Sequence, residues 1–461
     1  MSRDAETGIK YSSRMWIGLF LACLVAYVCN LVYLIVTQGP PTWDGADHSF
    51  YSYQIYQSLK MGDGSLFWLN TKSQTLWPFF HSWLCGFAMW LIGPSQAVIR
   101  FMSLLSGLIT ILITGRFTYR AVEQSGAIDN VESKEFSLKA SLIGMMILTG
   151  SPLFQIYSIQ PMLEVFGAAF TILTLLVFAE SRSGVQVRDR LLPGNKSLRD
   201  RLLLRDRLLL RDRLFLKFMT GCLILLTFYL KYVYAVLIVA AILLYLAVDL
   251  LKEISWKRIK TCVGDLFCYL LIPTVGIFLY FFWTSGLTGF FSFKSNPDTG
   301  FSILNPVNWI IYPATILIYY FSTPLLCLVA LPSLFTGFRK WLNPFTEIAL
   351  IYTFSSLGLL TIYHYKLIRA PFTVIPTLAV IMAIGIVKLL RFILEKAGAT
   401  RAGKRLPWLR SITVLLFVVV ILANTAVTVA PGLLLKSVVF WRDELNYMIN
   451  FDKSLTEVLQ E

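Results

Sequence analysis

The sequence predicts an all-α fold, a polytopic helical membrane protein. Three observations carry that prediction. Hydrophobic residues fill 56% of the 461 positions, too large a share for an ordinary soluble domain. Uncharged windows of about twenty residues recur along the chain, each long enough as a helix to cross the hydrocarbon of a bilayer. The 41 Lys and Arg residues, against 26 Asp and Glu, fall mostly in short stretches between those windows, the charge pattern of loops on one side of a membrane. That distribution also argues against nucleic acid as a partner, which would need the basic side chains gathered on one face.

The first apolar window, Trp16 to Val36, follows Arg3, Lys10 and Arg14 and begins like a signal peptide. It is longer than a signal's apolar region and runs into Thr37-Gln38-Gly39-Pro40 with no small-x-small cleavage site, so it reads as a retained span. A polar interval follows, Pro40-Pro41-Thr42-Trp43-Asp44-Gly45-Ala46-Asp47-His48 and onward to about Gln74, then an apolar stretch from Leu76 to Gly93. The remaining windows are Ala97 to Thr118, Ala140 to Tyr157, Met162 to Ala179, Phe218 to Leu230, Tyr232 to Val248, Leu266 to Trp283, Trp309 to Leu334, Ile348 to Tyr363, Pro371 to Leu390 and Ile412 to Val429. Lys231 breaks one long apolar region in two. The seven cysteines lie in or beside apolar windows without CxxC spacing, which points to packing and not to disulfides or zinc.

Charge counting sets the topology. If Leu76 to Gly93 is a re-entrant or interfacial helix, about eleven spans remain, the N-terminus is cytoplasmic, and most of the Lys and Arg lie on the cytoplasmic side. A twelve-span arrangement with the N-terminus outside satisfies the charge rule equally. Only the eleven-span arrangement puts Asp44 on the same face as Arg100, Glu164, Lys231 and Arg369. On this reading residues 1–430 form one membrane domain, 37–96 its first outer loop with interfacial helices, 181–215 an Arg-rich cytoplasmic loop, and 431–461 a short tail. Within the Arg-rich loop, Arg188 to Leu216 carries a six-residue unit four times, as Arg-Asp-Arg-Leu-Leu-Pro, then Arg-Asp-Arg-Leu-Leu-Leu twice, then Arg-Asp-Arg-Leu-Phe-Leu. A six-residue period matches no helical turn and reads as a low-complexity insertion, although its leucines and arginines also suit an anionic leaflet.

Ion-coupled carriers place ionisable groups in the middle of spans. Here Glu164, Glu180, Asp249, Asp265, Glu347 and Lys388 stand at span ends, which favours a site at one membrane surface. The outer face collects Asp44, Asp47, His48, Arg100, Glu164, Lys231, Lys366 and Arg369, together with His81 and His364. Each has a structural explanation taken alone: Asp44 and Asp47 cap a helix, Arg100 and Arg369 snorkel, Lys231 anchors at the interface. Their convergence on one face points to a site.

The order of these features resembles a known family. An acidic cluster follows the first span; Leu91-Ile92-Gly93-Pro94-Ser95 precedes Ala97-Val98-Ile99-Arg100-Phe101; Ser151-Pro152-Leu153-Phe154-Gln155-Ile156-Tyr157-Ser158 precedes Glu164; Leu230-Lys231-Tyr232 and Lys366-Leu367-Ile368-Arg369-Ala370-Pro371 come later. Over roughly the first 390 residues this is similar to the GT-C superfamily of polytopic glycosyltransferases, in the branch of protein O-mannosyltransferases (glycosyltransferase family 39) and lipid A aminoarabinose transferases. The resemblance implies sugar transfer, with inversion, from a polyprenyl-phosphate donor at the outer or lumenal face. By it, Asp44 matches the family's first-loop acid, with Asp47 second; Arg100, Lys231 and Arg369 match its cations. Departures are visible. The family's adjacent acidic pair is split here, its Lys-Pro-Pro-Leu element appears as Leu76-Trp77-Pro78-Phe79 without the lysine, and Ala370 stands where a tyrosine follows the late arginine.

The residue chemistry suits that reaction. A phosphate leaves without protonation when cations meet its growing charge, the expected task of Arg100, Lys231 and Arg369. The acceptor hydroxyl must lose a proton, the task of one carboxylate, Asp44, with Asp47 or Glu164 orienting it or the acceptor. One base opposite a phosphate predicts inversion. No cofactor is required; Asp44, His48 and Glu164 are the residues at which a divalent ion would bind, at a spacing that gives little reason to expect an obligatory one. Expected partners are the donor lipid, a lipid, glycan or protein acceptor, and the membrane itself, with a bacterial inner membrane preferred over the endoplasmic reticulum. The competing readings are a non-catalytic lipid flippase, which calls for inward charges or a repeated half, and an O-antigen polymerase or ligase, which calls for a large functional loop late in the chain.

Overall fold

The computed structural model describes residues 44–74, 77–125, 130–183, 196–284, 306–316, 341–362 and 369–398, and most of 17–32. The described elements are helices: α1 (Phe20–Cys29), α2 (Asp44–Met61), α3 (Gly64–Lys72), α4 (Phe80–Ile92), α5 (Gln96–Glu123), α6 (Asn130–Thr149), α7 (Pro152–Tyr157), α8 (Leu163–Ser183), α9 (Lys196–Leu230), α10 (Tyr232–Lys252), α11 (Trp256–Thr284), α12 (Pro306–Thr315), α13 (Pro344–Ile362), a 3-10 turn (Ala370–Val374) and α14 (Ile375–Gly398). Seven of the described helical stretches are long and apolar enough to cross a membrane: Gln96–Glu123, Leu163–Ser183, Asp212–Leu230, Tyr232–Lys252, Trp256–Thr284, Pro344–Ile362 and Ala370–Arg391. The protein is therefore an integral, multi-pass membrane protein. Of the expected spans, most of Trp309 to Leu334 and all of Ile412 to Val429 lie outside the described residues.

Lipid tails are as apolar as leucine, so helices in a bilayer associate through close packing and internal hydrogen bonds. α5 shows how the sequence provides this. Ser103, Ser106, Gly107, Thr110, Thr114, Gly115 and Thr118 recur every three or four residues, and all are buried. A methyl at Gly115 would stand 2.6 Å from Met145 Sδ of α6, and one at Gly107 2.7 Å from Tyr27 Oη of α1. The hydroxyls of Thr110, Thr114 and Thr118 donate to the carbonyls four residues back at 2.7, 2.7 and 2.8 Å, so none is stranded in the apolar bundle.

Two sequence expectations change. The window Ala140 to Tyr157 is two helices, α6 and α7, because Pro152 bars Ser151 from helical geometry (φ −77°, ψ 117°) and starts a new helix at its own first position. The Arg-rich stretch is not loop throughout. From Lys196 it runs as one helix with the span that follows, since leucine and arginine are strong helix formers and no Gly or Pro intervenes between Lys196 and Phe218.

Charged groups gather at the two ends of the bundle, roughly 27 Å apart along α8. At one end Arg182 pairs with Asp249 (2.5 Å) and Asp265, Lys217 with Asp265, and Arg258 with Asp249 (2.8 Å). Arg120 holds Glu180 (2.7 Å) and Glu123 (2.6 Å) at that same end, where Lys252 also meets Glu347 (2.7 Å). The other end holds the predicted site. Leu76 to Gly93, expected to stay at the interface, contains α4, a 13-residue helix too short to span a bilayer.

Candidate active site

Four side chains from four places in the chain meet at this second end. α2 begins at Asp44, with Asp44 and Asp47 in its first turn, where the positive end of a helix favours carboxylates. Its inward stripe is Gly45, His48, Ser49, Ser52, Ile55 and Tyr56, small and polar enough to lie tightly on α4. A methyl at Gly86 of α4 would stand 2.7 Å from Ile55 Cγ2 and 3.0 Å from the Ser52 carbonyl. That contact fixes α2, and with it Asp44, against the bundle.

Glu164 sits in the first turn of α8 and is buried. Its Oε1 accepts from Lys231 Nζ at 2.9 Å and lies 3.6 Å from Arg369 Nε. Arg369, immediately before the 3-10 turn, donates a second nitrogen to Asp44 Oδ2 and brings a third within 3.9 Å of Met162 Sδ. One guanidinium thus touches two of the three predicted carboxylates, and Glu164 bridges Lys231 and Arg369. A fork of donors on a planar group makes such a double contact natural for arginine and not for lysine.

Lys231 owes its position to a one-residue break. Between α9 and α10 its backbone is extended (φ −161°, ψ 117°), so the chain reverses there and its side chain turns to the site. The ammonium stands 4.9 Å from the centre of the Trp77 ring and 5.1 Å from that of Tyr234. His48 lies next to Trp77 (rings 6.3 Å apart) and to His81 (5.3 Å), and His81 meets Phe166 edge-on at 4.8 Å and Cys85 Sγ at 3.6 Å. Burial pushes His48 down to about 3, against the attraction of Glu164 and with the help of Lys231 and Arg369. Burial and the neighbouring His48 likewise hold His81 well below the ordinary imidazole range. Both rings are therefore neutral at pH 7.

Of the sequence-predicted residues, Asp44, Glu164, Lys231 and Arg369 are brought into contact, with His48 beside them. Asp47 stands one turn on in α2 and faces out. Arg100 is buried on the first turn of α5; its neighbours Val98 and Ile99 pack with Phe166 and Leu230, residues adjoining the Glu164 and Lys231 corner. Trp43, His364 and Lys366 lie outside the described residues. Among the described residues no group of three or more His, Cys, Asp and Glu side chains is placed to share a metal ion. Trp77 and Tyr234 were not expected in the site. The signal for Tyr234 was its place three residues after Lys231, one turn into a helix; Trp77 showed only as part of Leu76-Trp77-Pro78-Phe79, the stretch matched to the resembled family's Lys-Pro-Pro-Leu element.

No protein-family model and no curated protein matches the chain. Solved structures do. ArnT from Cupriavidus metallidurans bound to undecaprenyl phosphate superposes with a TM-score of 0.56 at 15% identity, covering 90% of this chain and 74% of that one. The apo state of the same protein gives 0.56 at 16%, with 91% and 75% covered. The Archaeoglobus fulgidus oligosaccharyltransferase, in complex with Zn and sulfate, gives 0.50 at 14%, covering 88% of this chain and about half (52%) of that one. With its helices in this order, the chain shares the fold of those solved structures.

Proposed function

We propose that this chain is a membrane glycosyltransferase that moves a sugar from a polyprenyl-phosphate donor to a hydroxyl acceptor, with inversion, at the extracytoplasmic face. The observation that carries the reading is the contact of Arg369 with both Asp44 and Glu164, the latter shared with Lys231. It sets one partly exposed carboxylate beside two cations at a membrane surface. The similarity to a structure holding undecaprenyl phosphate supports the donor class.

The acceptor oxygen attacks the anomeric carbon, its proton passes to Asp44, and the bond from that carbon to the phosphate oxygen breaks. A phosphodiester with one negative charge becomes a phosphate monoester with two, while Asp44 becomes neutral. In this reading the added charge on the phosphate falls to Lys231 and Arg369, with Arg100 as the third expected cation, and the preset cations lower the barrier without reorganising. Proton transfer also frees Arg369, because a protonated Asp44 stops being its counter-ion as the phosphate becomes a stronger one. Glu164, tied to both cations, orients them and does not act as a base. Asp47, exposed on the same helix, is placed to meet the acceptor.

The test is transfer from a panel of polyprenyl-phosphate monosaccharides by purified wild type and Asp44→Asn. Transfer by the wild type alone supports the reading; equal turnover removes Asp44 from the mechanism.

A further inference from the structure

We propose that Trp77 and Tyr234 are positioning residues which hold the Lys231 ammonium, by their ring faces, in the orientation from which it meets the donor phosphate. The inference rests on the phosphate-binding role of Lys231 given above.

A lysine has a long flexible stem, and Lys231 sits at a backbone break where helix geometry does not choose its rotamer. Among the described residues its ammonium nevertheless has three neighbours: Glu164 Oε1 at 2.9 Å, the Trp77 ring centre at 4.9 Å and the Tyr234 ring centre at 5.1 Å. The Tyr234 ring occupies space that another residue leaves for it. Gly167 lies one turn after Glu164 on α8, and a methyl there would stand 2.2 Å from Tyr234 Cε2 and 2.3 Å from Cδ2. The carboxylate that holds Lys231 and the glycine that admits its aromatic neighbour thus come from the same face of one helix. Trp77 arrives from the link between α3 and α4 and is backed by the His48 ring.

Rings achieve what a second carboxylate cannot. Another acid beside Lys231 would neutralise the ammonium and compete with any incoming phosphate. An aromatic face attracts the cation through its quadrupole and carries no net charge, so the lysine is held while its charge stays available to an anion. Unlike a second acid, a ring face also gives the ammonium no fixed acceptor of its own to surrender when the phosphate arrives.

The test is equilibrium binding of undecaprenyl phosphate to the full-length protein in detergent, for wild type, Trp77→Leu, Trp77→Phe, Lys231→Met and the Trp77→Leu/Lys231→Met double variant. Trp77→Leu is expected to weaken binding about tenfold. Trp77→Phe, which keeps a ring face, recovers most of the loss. In the Lys231→Met background Trp77→Leu costs nothing further, since a residue acting only through Lys231 has nothing left to act on. Tyr234→Leu follows the same pattern, and should Trp77→Leu not fold, Trp77→Phe with and without Lys231→Met gives the coupling on a smaller scale. Wild-type affinity in Trp77→Leu, or an equal loss with and without Lys231, overturns the proposal. Absence of binding by the wild type instead overturns the donor assignment, a result the proposal does not survive but one that is told apart from it.

Discussion

Asp44 and Arg369 stand 325 positions apart in the chain and form an ion pair at one end of the helix bundle. The pair joins α2 to the turn that leads into α14. It brings an acid early in the chain and a late arginine to a single point at that end, and four consequences can be measured.

Replacing Asp44 by Asn keeps the side chain's shape and removes its capacity to take a proton. Turnover with labelled donor should fall about 10²- to 10⁴-fold, the usual worth of a positioned general base, while binding of polyprenyl phosphate persists. Turnover within a factor of two of wild type contradicts the assignment of the base.

Glu164 neutralises two cations in a mostly buried setting. With Glu164→Gln, Lys231 loses its carboxylate partner and Arg369 keeps only Asp44, and the protein should lose about 3–5 kcal/mol of stability. A clear drop in the thermal unfolding midpoint in detergent is the expected reading, and an unchanged midpoint shows that the two cations find other partners.

Gly86 is the point where α2 rests on α4. Alanine there meets Ile55 and the Ser52 carbonyl, and a backbone atom cannot give way as a flexible side chain does. The helices must separate, at about 1–3 kcal/mol, and Asp44 moves with α2. Gly86→Ala should therefore lose activity as well as stability, whereas Gly264→Ala, where nothing lies within 4 Å, should lose neither.

The two buried imidazoles make the fold acid-sensitive. His48 titrates near 3 in the folded chain and near 6.5 when unfolded, so between those values the unfolded state binds the extra proton. Stability then rises with pH through that window and is fully present above 6.5; at pH 5 the loss is about 2 kcal/mol for such a histidine. His81 acts in the same direction. The unfolding midpoint of His48→Gln should vary less between pH 7 and 5 than that of wild type, and parallel curves would show that His48 is not the group responsible.

Much of the fold was legible in the sequence because a bilayer imposes a length rule that composition alone can meet. The expected spans from Ala97, Met162, Phe218, Tyr232, Leu266, Ile348 and Pro371 each correspond to a long apolar helix in the structure. Local chemistry decided what pattern reading missed. Pro152 split one window into α6 and α7, and an unbroken run of good helix formers carried α9 back to Lys196 through a repeat whose period fits no helix. The inward face of α2 was hidden because most of its stripe is glycine, serine and histidine, with Ile55 and Tyr56 the only large apolar residues in it.

By itself the sequence determined the class of protein, the positions of the long helices and the set of charged residues left at their ends, since each follows from what lipid excludes. Only the tertiary structure decided which of those charges are partners. That Arg369 reaches Asp44, that Glu164 serves two cations, and that Trp77 and Tyr234 flank Lys231 depend on how closely the helices approach. Gly86 and Gly167 set those distances, and no property of an isolated segment encodes them.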